Sequence, residues 1–463
     1  MTSRYLKGVF GLLIPVILWV TPLGGGLSEQ GQRGLALMVF AILYWVLEPI
    51  PLEWTSLLLM LLIPLFGVTG VATALSGFMT DAFWLVLASF LLGEGVLQTG
   101  LGKRLALLSL RVLGTRYPSA LIGLLMAGLI LGFLVPSGVG RVSLILPIAI
   151  AIAAAFGFTI GSAGMAGLTM AATFGAVLPP YAIMTSNIPN LVLLGAAQLS
   201  AGIHLSYGQW LLMLGPPLGL LKLLLCFLIL RLLFRPTTQV ASEEALAKEW
   251  RGLGPLSTKE RQILWIGGLV LLFWTTDKLH GIRPSWVGMG GALALLLPGI
   301  KILDWKAPGR SLHYPLLLYC AGILSLGAIS RQAGIAEWIG KLVLELLPGR
   351  GVSLDLQLIF IAVLSTGLSV LLTNPVLPAV LTPILVSYAE GTGLSLLPIL
   401  LVQVIGAGTP LFPYQVPPVT LALGFQTFTH TEAVKGMLLL ALSSLLLIFP
   451  ATILYWSLLG VLP

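Results

Sequence analysis

Apolar runs follow one another along this chain, separated by short polar stretches. They lie near 8-23, 35-48, 54-68, 82-97, 120-135 and 142-160, then at 208-234, 262-276, 286-300, 314-330, 354-372, 375-392, 396-425 and 436-461. A bilayer-spanning helix needs about 20 mostly apolar residues, and about eleven spans can be placed on these runs. The surplus carries internal Gly and Pro and reads as re-entrant or broken helix. One polar connection is long: residues 236-261, with Ser242-Glu243-Glu244 and Lys248-Glu249-Trp250-Arg251. It marks the boundary between two halves.

The halves resemble each other at an offset of roughly 235 residues, the internal repetition common in membrane carriers. Phe83-Trp84 to Gln98-Thr99-Gly100-Leu101 matches Tyr314-Pro315 to Gln332-Ala333-Gly334-Ile335. Ser137-Gly138-Val139 followed by Leu146-Pro147-Ile148 matches Thr373-Asn374-Pro375 followed by Thr382-Pro383-Ile384. Ser186-Asn187-Ile188-Pro189-Asn190 parallels Gln415-Val416-Pro417-Pro418-Val419. The pattern predicts an all-α polytopic membrane protein of two inverted-topology repeats. Each repeat has about five spans, a re-entrant helical hairpin and a broken helix, and one extra helix precedes them. Residues 1-34 form that N-terminal helix and loop. Residues 35-235 are the first repeat, with a hairpin near 118-138; 236-261 are a cytoplasmic linker; 262-463 are the second repeat, with a hairpin near 353-375.

Composition agrees with a lipid solvent, since 57% of the 463 residues are hydrophobic and only 9% are charged. The first run follows Arg4 and Lys7 and has no convincing cleavage site after Gly24-Gly26, so it is read as a retained helix. The net charge of +8 resides in short loops without a separate basic domain, which argues against nucleic acid. With a cytoplasmic N-terminus, Lys103, Arg104, Arg111 and Arg116 fall inside, as do Arg231, Arg235, Lys248, Arg251, Lys259 and Arg261, and the C-terminus is periplasmic. Cys226 and Cys320 lie in apolar runs, which leaves no disulfide framework. His204, His280, His313 and His430 have no ligand spacing, so no metal site is expected. No P-loop, nucleophile elbow or HExxH occurs, and an enzyme is not expected. The bacterial inner membrane is the expected location.

Chemistry is to be sought at the breaks. A turn at membrane depth is tolerated where it lines a cavity or is buried in protein. The helix N-terminus after each turn favours an anion, so the cargo is read as a small anion with charges at both ends. Candidate substrate-binding residues are Ser137, Gly138 and Arg141 at the first turn and Thr373, Asn374 and Pro375 at the second. Asn187, Asn190, Gln415 and Pro417 join them from the two broken segments. Ser137, Ser186, Thr373 and Asn374 are candidate ion ligands. Arg141 offers a bidentate match to a carboxylate, or snorkels to the interface; Glu94 is a candidate partner for it or a proton relay. Glu48 and Glu53 bracket Pro49-Ile50-Pro51 and receive no transport role.

The chain resembles the divalent-anion/sodium symporter family over nearly its whole length. The resemblance rests on Glu48-Pro49-Ile50-Pro51-Leu52-Glu53-Trp54-Thr55-Ser56, on Gly100 to Arg104 (Gly-Leu-Gly-Lys-Arg), on Pro417-Pro418 and on the spacing of the two turns. It implies a homodimer of protomers with about eleven spans and two hairpins, moving citrate, dicarboxylates or sulfate by an elevator motion. No cofactor is implied, and sodium is a candidate coupling ion. The family's tips carry Ser-Asn-Thr, whereas here they read Ser137-Gly138-Val139 and Thr373-Asn374-Pro375. The later Thr-Pro-Pro-Asn elements become Asn187-Ile188-Pro189-Asn190 and Val416-Pro417-Pro418-Val419, with Tyr414 and Gln415 as larger polar groups. The first tip thus loses oxygen ligands that a hard cation needs, and Arg141 is read as a fixed positive charge in their place. The alternatives are another oxyanion, or proton-coupled or sodium-independent exchange; a non-transporting receptor is the other class.

Overall fold

The computed structural model describes residues 2–24, 26–113, 116–236, 251–306, 314–346 and 353–462. Among these the regular structure is all helical, with no strand. In chain order, α1 (Thr2–Val20), α2 (Glu29–Leu47), α3 (Leu52–Leu65) and the one-turn α4 (Val71–Ala74) lead to α5 (Asp81–Thr99) and amphipathic α6 (Leu101–Leu113). The helices α7 (Tyr117–Leu134) and α8 (Gly138–Ala155) form a hairpin. After it come α9 (Ala163–Val177), a break, and α10 (Ile188–Ala201). Then α11 (Tyr207–Leu214) continues through a π-helical segment, Gly215–Leu221, into α12 (Lys222–Leu233). Between the two series lie α13 (Thr258–Thr275), the one-turn α14 (Asp277–His280) and α15 (Pro284–Ala294).

The second series repeats the order. It comprises α16 (Tyr314–Gln332), amphipathic α17 (Ile335–Leu346), the hairpin α18 (Leu354–Leu371) and α19 (Val376–Thr392), α20 (Leu396–Ala407), a break and α21 (Pro417–Leu423). It closes with α22 (His430–Ser443), again running through a π-helical segment, Ser444–Ile448, into α23 (Phe449–Leu458). The repetition therefore reaches beyond the three landmarks legible in sequence.

Nine helical stretches among the described residues are long and apolar enough to cross a bilayer, against about eleven expected from the runs. The 54-68, 375-392 and 396-425 runs form shorter helices, and the last of them is broken between Ala407 and Pro417. Large apolar side chains such as Leu61, Leu220, Leu232, Leu272 and Leu454 are exposed on the helices, as a lipid solvent allows. Most of the 236-261 connection lies outside the described residues. Its far end is anchored: Arg104 Nε donates to Glu260 Oε1 at 2.7 Å, and its Nη atoms reach the carbonyls of Leu253, Gly254 and Pro255.

The chain divides into two compact units, neither of which coincides with a half of the sequence. One comprises Met1–Leu87, Ile188–Leu205 and His313–Ala407; the other comprises Ala88–Asn187, Ser206–Leu312 and Gly408–Pro463. In the first unit α10, from the first half, packs on α19 of the second hairpin. In the second unit α21, from the second half, packs on α8 and α9. Each hairpin thus receives the half-helix that follows the other half's break.

Within each unit the hairpin is held by close backbone approach. A Cβ added to Gly175 of α9 would lie 2.5 Å from Leu125 Cα of α7, and one added to Gly406 of α20 would lie 2.4 Å from Ser365 Cβ of α18. Only glycine lets these helix pairs approach so closely, and in lipid such packing takes the place of the hydrophobic effect between helices.

Candidate functional site

The first hairpin turns at Val135-Pro136-Ser137. Ser137 is the N-cap of α8, its hydroxyl accepting from Gly140 N at 3.1 Å. One turn on, Arg141 is wholly buried. Its Nε donates to Ala176 O at 2.7 Å, near the end of α9. Nη1 donates to Val135 O at 2.5 Å and Ser186 O at 2.8 Å, and Nη2 to Asn187 Oδ1 at 3.0 Å. One guanidinium therefore joins the end of α7, the end of α9 and the last two residues of the break. Among the described residues no carboxylate lies within ion-pair distance of it. Glu94, the partner considered from sequence, instead accepts from Gln98 Nε2 at 2.8 Å, one turn along α5.

The reason is backbone accounting. A break between half-helices leaves carbonyls without intrahelical partners, and at membrane depth no water can satisfy them. The fork of an arginine presents several donors in fixed directions, and three of the carbonyls, with the Asn187 side-chain oxygen, are satisfied by this one side chain. Asn187 then presents Nδ2, which is buried and without a hydrogen-bond partner. Ser186 turns inward, its hydroxyl donating to Pro180 O. Gly138, the second residue of the tip motif, faces Pro418 of α21, whose Cγ would stand 2.9 Å from an added Cβ.

The second hairpin turns at Leu372-Thr373-Asn374-Pro375, and among the described residues of its unit no arginine or lysine is buried. Thr373 O accepts from Val376 N at 2.9 Å and Leu377 N at 3.2 Å, and Asn374 is buried. The first helix of this hairpin carries a run of hydroxyls: Ser365 donates to Ile361 O at 2.7 Å, Thr366 to Ala362 O at 2.9 Å and Ser369 to Thr366 O at 2.7 Å. In the same unit a small pocket is lined by Asn190, Leu193, Leu377, Pro378 and Gln403. Gln403 Oε1 accepts from Thr382 at 3.2 Å, while its Nε2 is buried without a hydrogen-bond partner.

After the second break the geometry is again local. Gln415 Oε1 accepts from Leu411 N at 2.8 Å and Phe412 N at 2.7 Å, so its side chain closes its own loop. Pro417 begins α21, and Tyr414 is exposed. Of the residues singled out from sequence, Ser137, Gly138, Arg141, Ser186, Asn187, Gln415 and Pro417 lie in the second unit; Asn190, Thr373, Asn374 and Pro375 lie in the first. Sequence reading missed Gln403 and Lys222. The signal for Lys222 was present, as a charge in the middle of the apolar stretch Tyr207–Leu233, whose other charge, Arg231, lies near its end; Gln403 had only its polarity within α20.

Residues 2–462 match the family model described as the sodium:sulfate symporter transmembrane region. A membrane protein of Cupriavidus necator is 27% identical over 96% of this chain and 91% of its own length. The L-tartrate/succinate antiporter of Escherichia coli K12 is 25% identical over 75% of each chain, and the putative malate transporter YflS of Bacillus subtilis 23% over 71% of this chain and 70% of its own. Among solved structures, the Alcanivorax borkumensis YdaH transporter matches with a TM-score of 0.55 at 15% identity, covering 86% of this chain and 89% of that one; this is likeness of fold alone. By a family match over its whole described length, the chain belongs to the sodium:sulfate symporter transmembrane region, the divalent-anion/sodium symporter family, and is a multi-pass membrane transporter rather than an enzyme.

Proposed function

We propose that the protein is a secondary carrier of small dicarboxylates, of the malate, tartrate and succinate class, working by elevator-type alternating access in the bacterial inner membrane. The named relatives supply the substrate class. The observation that carries the coupling is the placement of Arg141. Its permanent charge satisfies the carbonyls of the first break, which a dissolved cation would otherwise be needed to hold. Transport is therefore indifferent to sodium at that break, and exchange of one dicarboxylate for another fits better than sodium symport. Arg141 acts as a built-in cation and not as a direct substrate ligand, because four of its N–H groups are already engaged. Within the second unit, taken by itself, the buried Asn187 amide is a donor suited to an anion. The assembly is a homodimer with a cytoplasmic N-terminus and a periplasmic C-terminus.

The test is uptake of labelled succinate, malate and tartrate into proteoliposomes of the purified protein. It is run with sodium or choline outside and with or without unlabelled dicarboxylate inside. Uptake that needs internal dicarboxylate and ignores sodium supports the exchange reading; uptake driven by an inward sodium gradient refutes it. No transport of any of the three anions would refute the substrate class.

A further inference from the structure

Lys222 is the first residue of α12, directly after the π-helical segment Gly215–Leu221 with its Pro216-Pro217 pair. It is wholly buried within an apolar stretch of 27 residues. Its ammonium donates to Gly408 O and, at 3.3 Å, to Thr409 Oγ1. Among the described residues no carboxylate is within ion-pair distance of it. An uncompensated ammonium at membrane depth is costly and seldom without a function, so the oxygens around it must supply a field that favours a cation.

Both acceptors follow directly on Ala407, the last residue of α20. The chain there reads Gly406-Ala407, and the first break is entered through Gly175-Ala176, so the two points are equivalent in the repeat. Helix C-termini carry unpaired carbonyls and the negative end of the dipole. At the first break Ala176 O is held by Arg141 Nε. At the second, the carbonyl one residue past the same dipeptide is held by Lys222 Nζ. Carbonyl and hydroxyl oxygens are the ligands that a hard cation takes, and an ammonium is a compact point charge. The lysine itself is not repeated, since the residue following the second π-helical segment is Phe449.

We infer that Gly408 O and Thr409 Oγ1 belong to a site for a small monovalent cation, which the chain fills with its own Lys222 ammonium. Lys222 is a positioning residue that holds the segment after α20 without drawing on dissolved sodium. The inference extends to the second break the sodium-indifferent transport proposed above, and it predicts that removing the ammonium opens the site to an alkali cation.

The test uses the full-length protein in detergent, with thermal unfolding midpoints in sodium, lithium, potassium and choline chloride at equal ionic strength, and proteoliposome uptake in parallel. Wild type should show the same midpoint in all four salts. Lys222→Ala should melt lower in choline and recover saturably with sodium or lithium, and its uptake, reduced at least tenfold in choline, should return with the same ion. Lys222→Arg, which keeps the charge, should stay indifferent to the salt. A sodium-stabilised wild type overturns the inference even if Lys222→Ala cannot be purified, as does a Lys222→Ala protein that no alkali cation stabilises. The melting readout needs no substrate, so absent dicarboxylate uptake beside the expected salt pattern would count against the substrate class and leave the cation site standing.

Discussion

At the first hairpin tip a buried guanidinium reaches three backbone carbonyls and an amide oxygen. At the second, the polar groups of the tip are neutral, and Thr373 O accepts from the first two N–H groups of α19. The packing beneath is the same in kind. Gly175 and Gly406 each bring the helix before a break against the first helix of its hairpin. Equivalent helices thus carry different electrostatics, and a tip that is charge-stitched has less freedom to change than one held by neutral hydrogen bonds. The comparison assigns rigidity and fixed charge to the first tip and exchangeable polar contact to the second.

Arg141→Ala should break the comparison most severely. It orphans Ala176 O, Val135 O, Ser186 O and Asn187 Oδ1 together, and each buried acceptor left without a partner costs about 1–3 kcal/mol. Uptake should disappear along with a large drop in the melting midpoint in detergent; normal uptake by this variant would end the fixed-charge reading. Arg141→Lys keeps the charge but cannot span the same acceptors, so it should fold with uptake at least tenfold lower.

Next in size, valine at Gly175 or at Gly406 should cost about 1–3 kcal/mol, the usual range for overpacking. Comparable losses at the two positions would show that the packing is equivalent even though the charge is not. A loss confined to Gly175 would tie the close approach to the arginine network instead.

Away from the tips, Arg104→Ala should cost about 3 kcal/mol, since it leaves Glu260 buried without its ion partner. Burial pushes the Glu260 carboxyl up, but the Arg104 and Ser257 hydrogen bonds outweigh it and leave the group below its usual 4.5. A depressed carboxyl contributes stability that is full above its unfolded value and lost as pH falls through the folded one. Wild type should therefore lose this contribution below about 4.5, and Arg104→Ala should flatten that acid limb in melting curves recorded against pH.

The smallest effect on stability belongs to the second tip. Asn374→Ala should change the melting midpoint by less than about 1 kcal/mol equivalent, the size of one ordinary hydrogen bond. Its KM for dicarboxylate should nonetheless rise several-fold in exchange assays. A melting loss as large as that of Arg141→Ala would erase the distinction between the tips.

Much of the fold was legible because lipid imposes a one-dimensional rule: apolar length specifies helices, and Gly, Pro and hydroxyl residues mark where they break. The two turns, the Ser186 to Asn190 segment and the matched order of the halves were all readable in that way. The count of full spans was not, because a run such as 396-425 does not state where its helix gives out. The acceptors of Arg141 were not legible for a related reason. Sequence proposes side-chain partners such as Glu94, while the actual acceptors are carbonyls 35 and 45 residues away, and every residue has a carbonyl. Lys222 is visible in the sequence as a charge in an apolar run, but its acceptors are not, since they lie 186 and 187 residues along the chain.

By itself, then, the sequence determined the solvent, the helical class, the repeat and the positions of the breaks, since these follow from local composition and from the hydrogen bonds a bilayer forbids leaving open. Only the tertiary structure decided which half-helix packs on which hairpin and which carbonyls each buried cation satisfies. Those outcomes depend on backbone groups brought together from distant parts of the chain, and a backbone carbonyl has no signature in sequence.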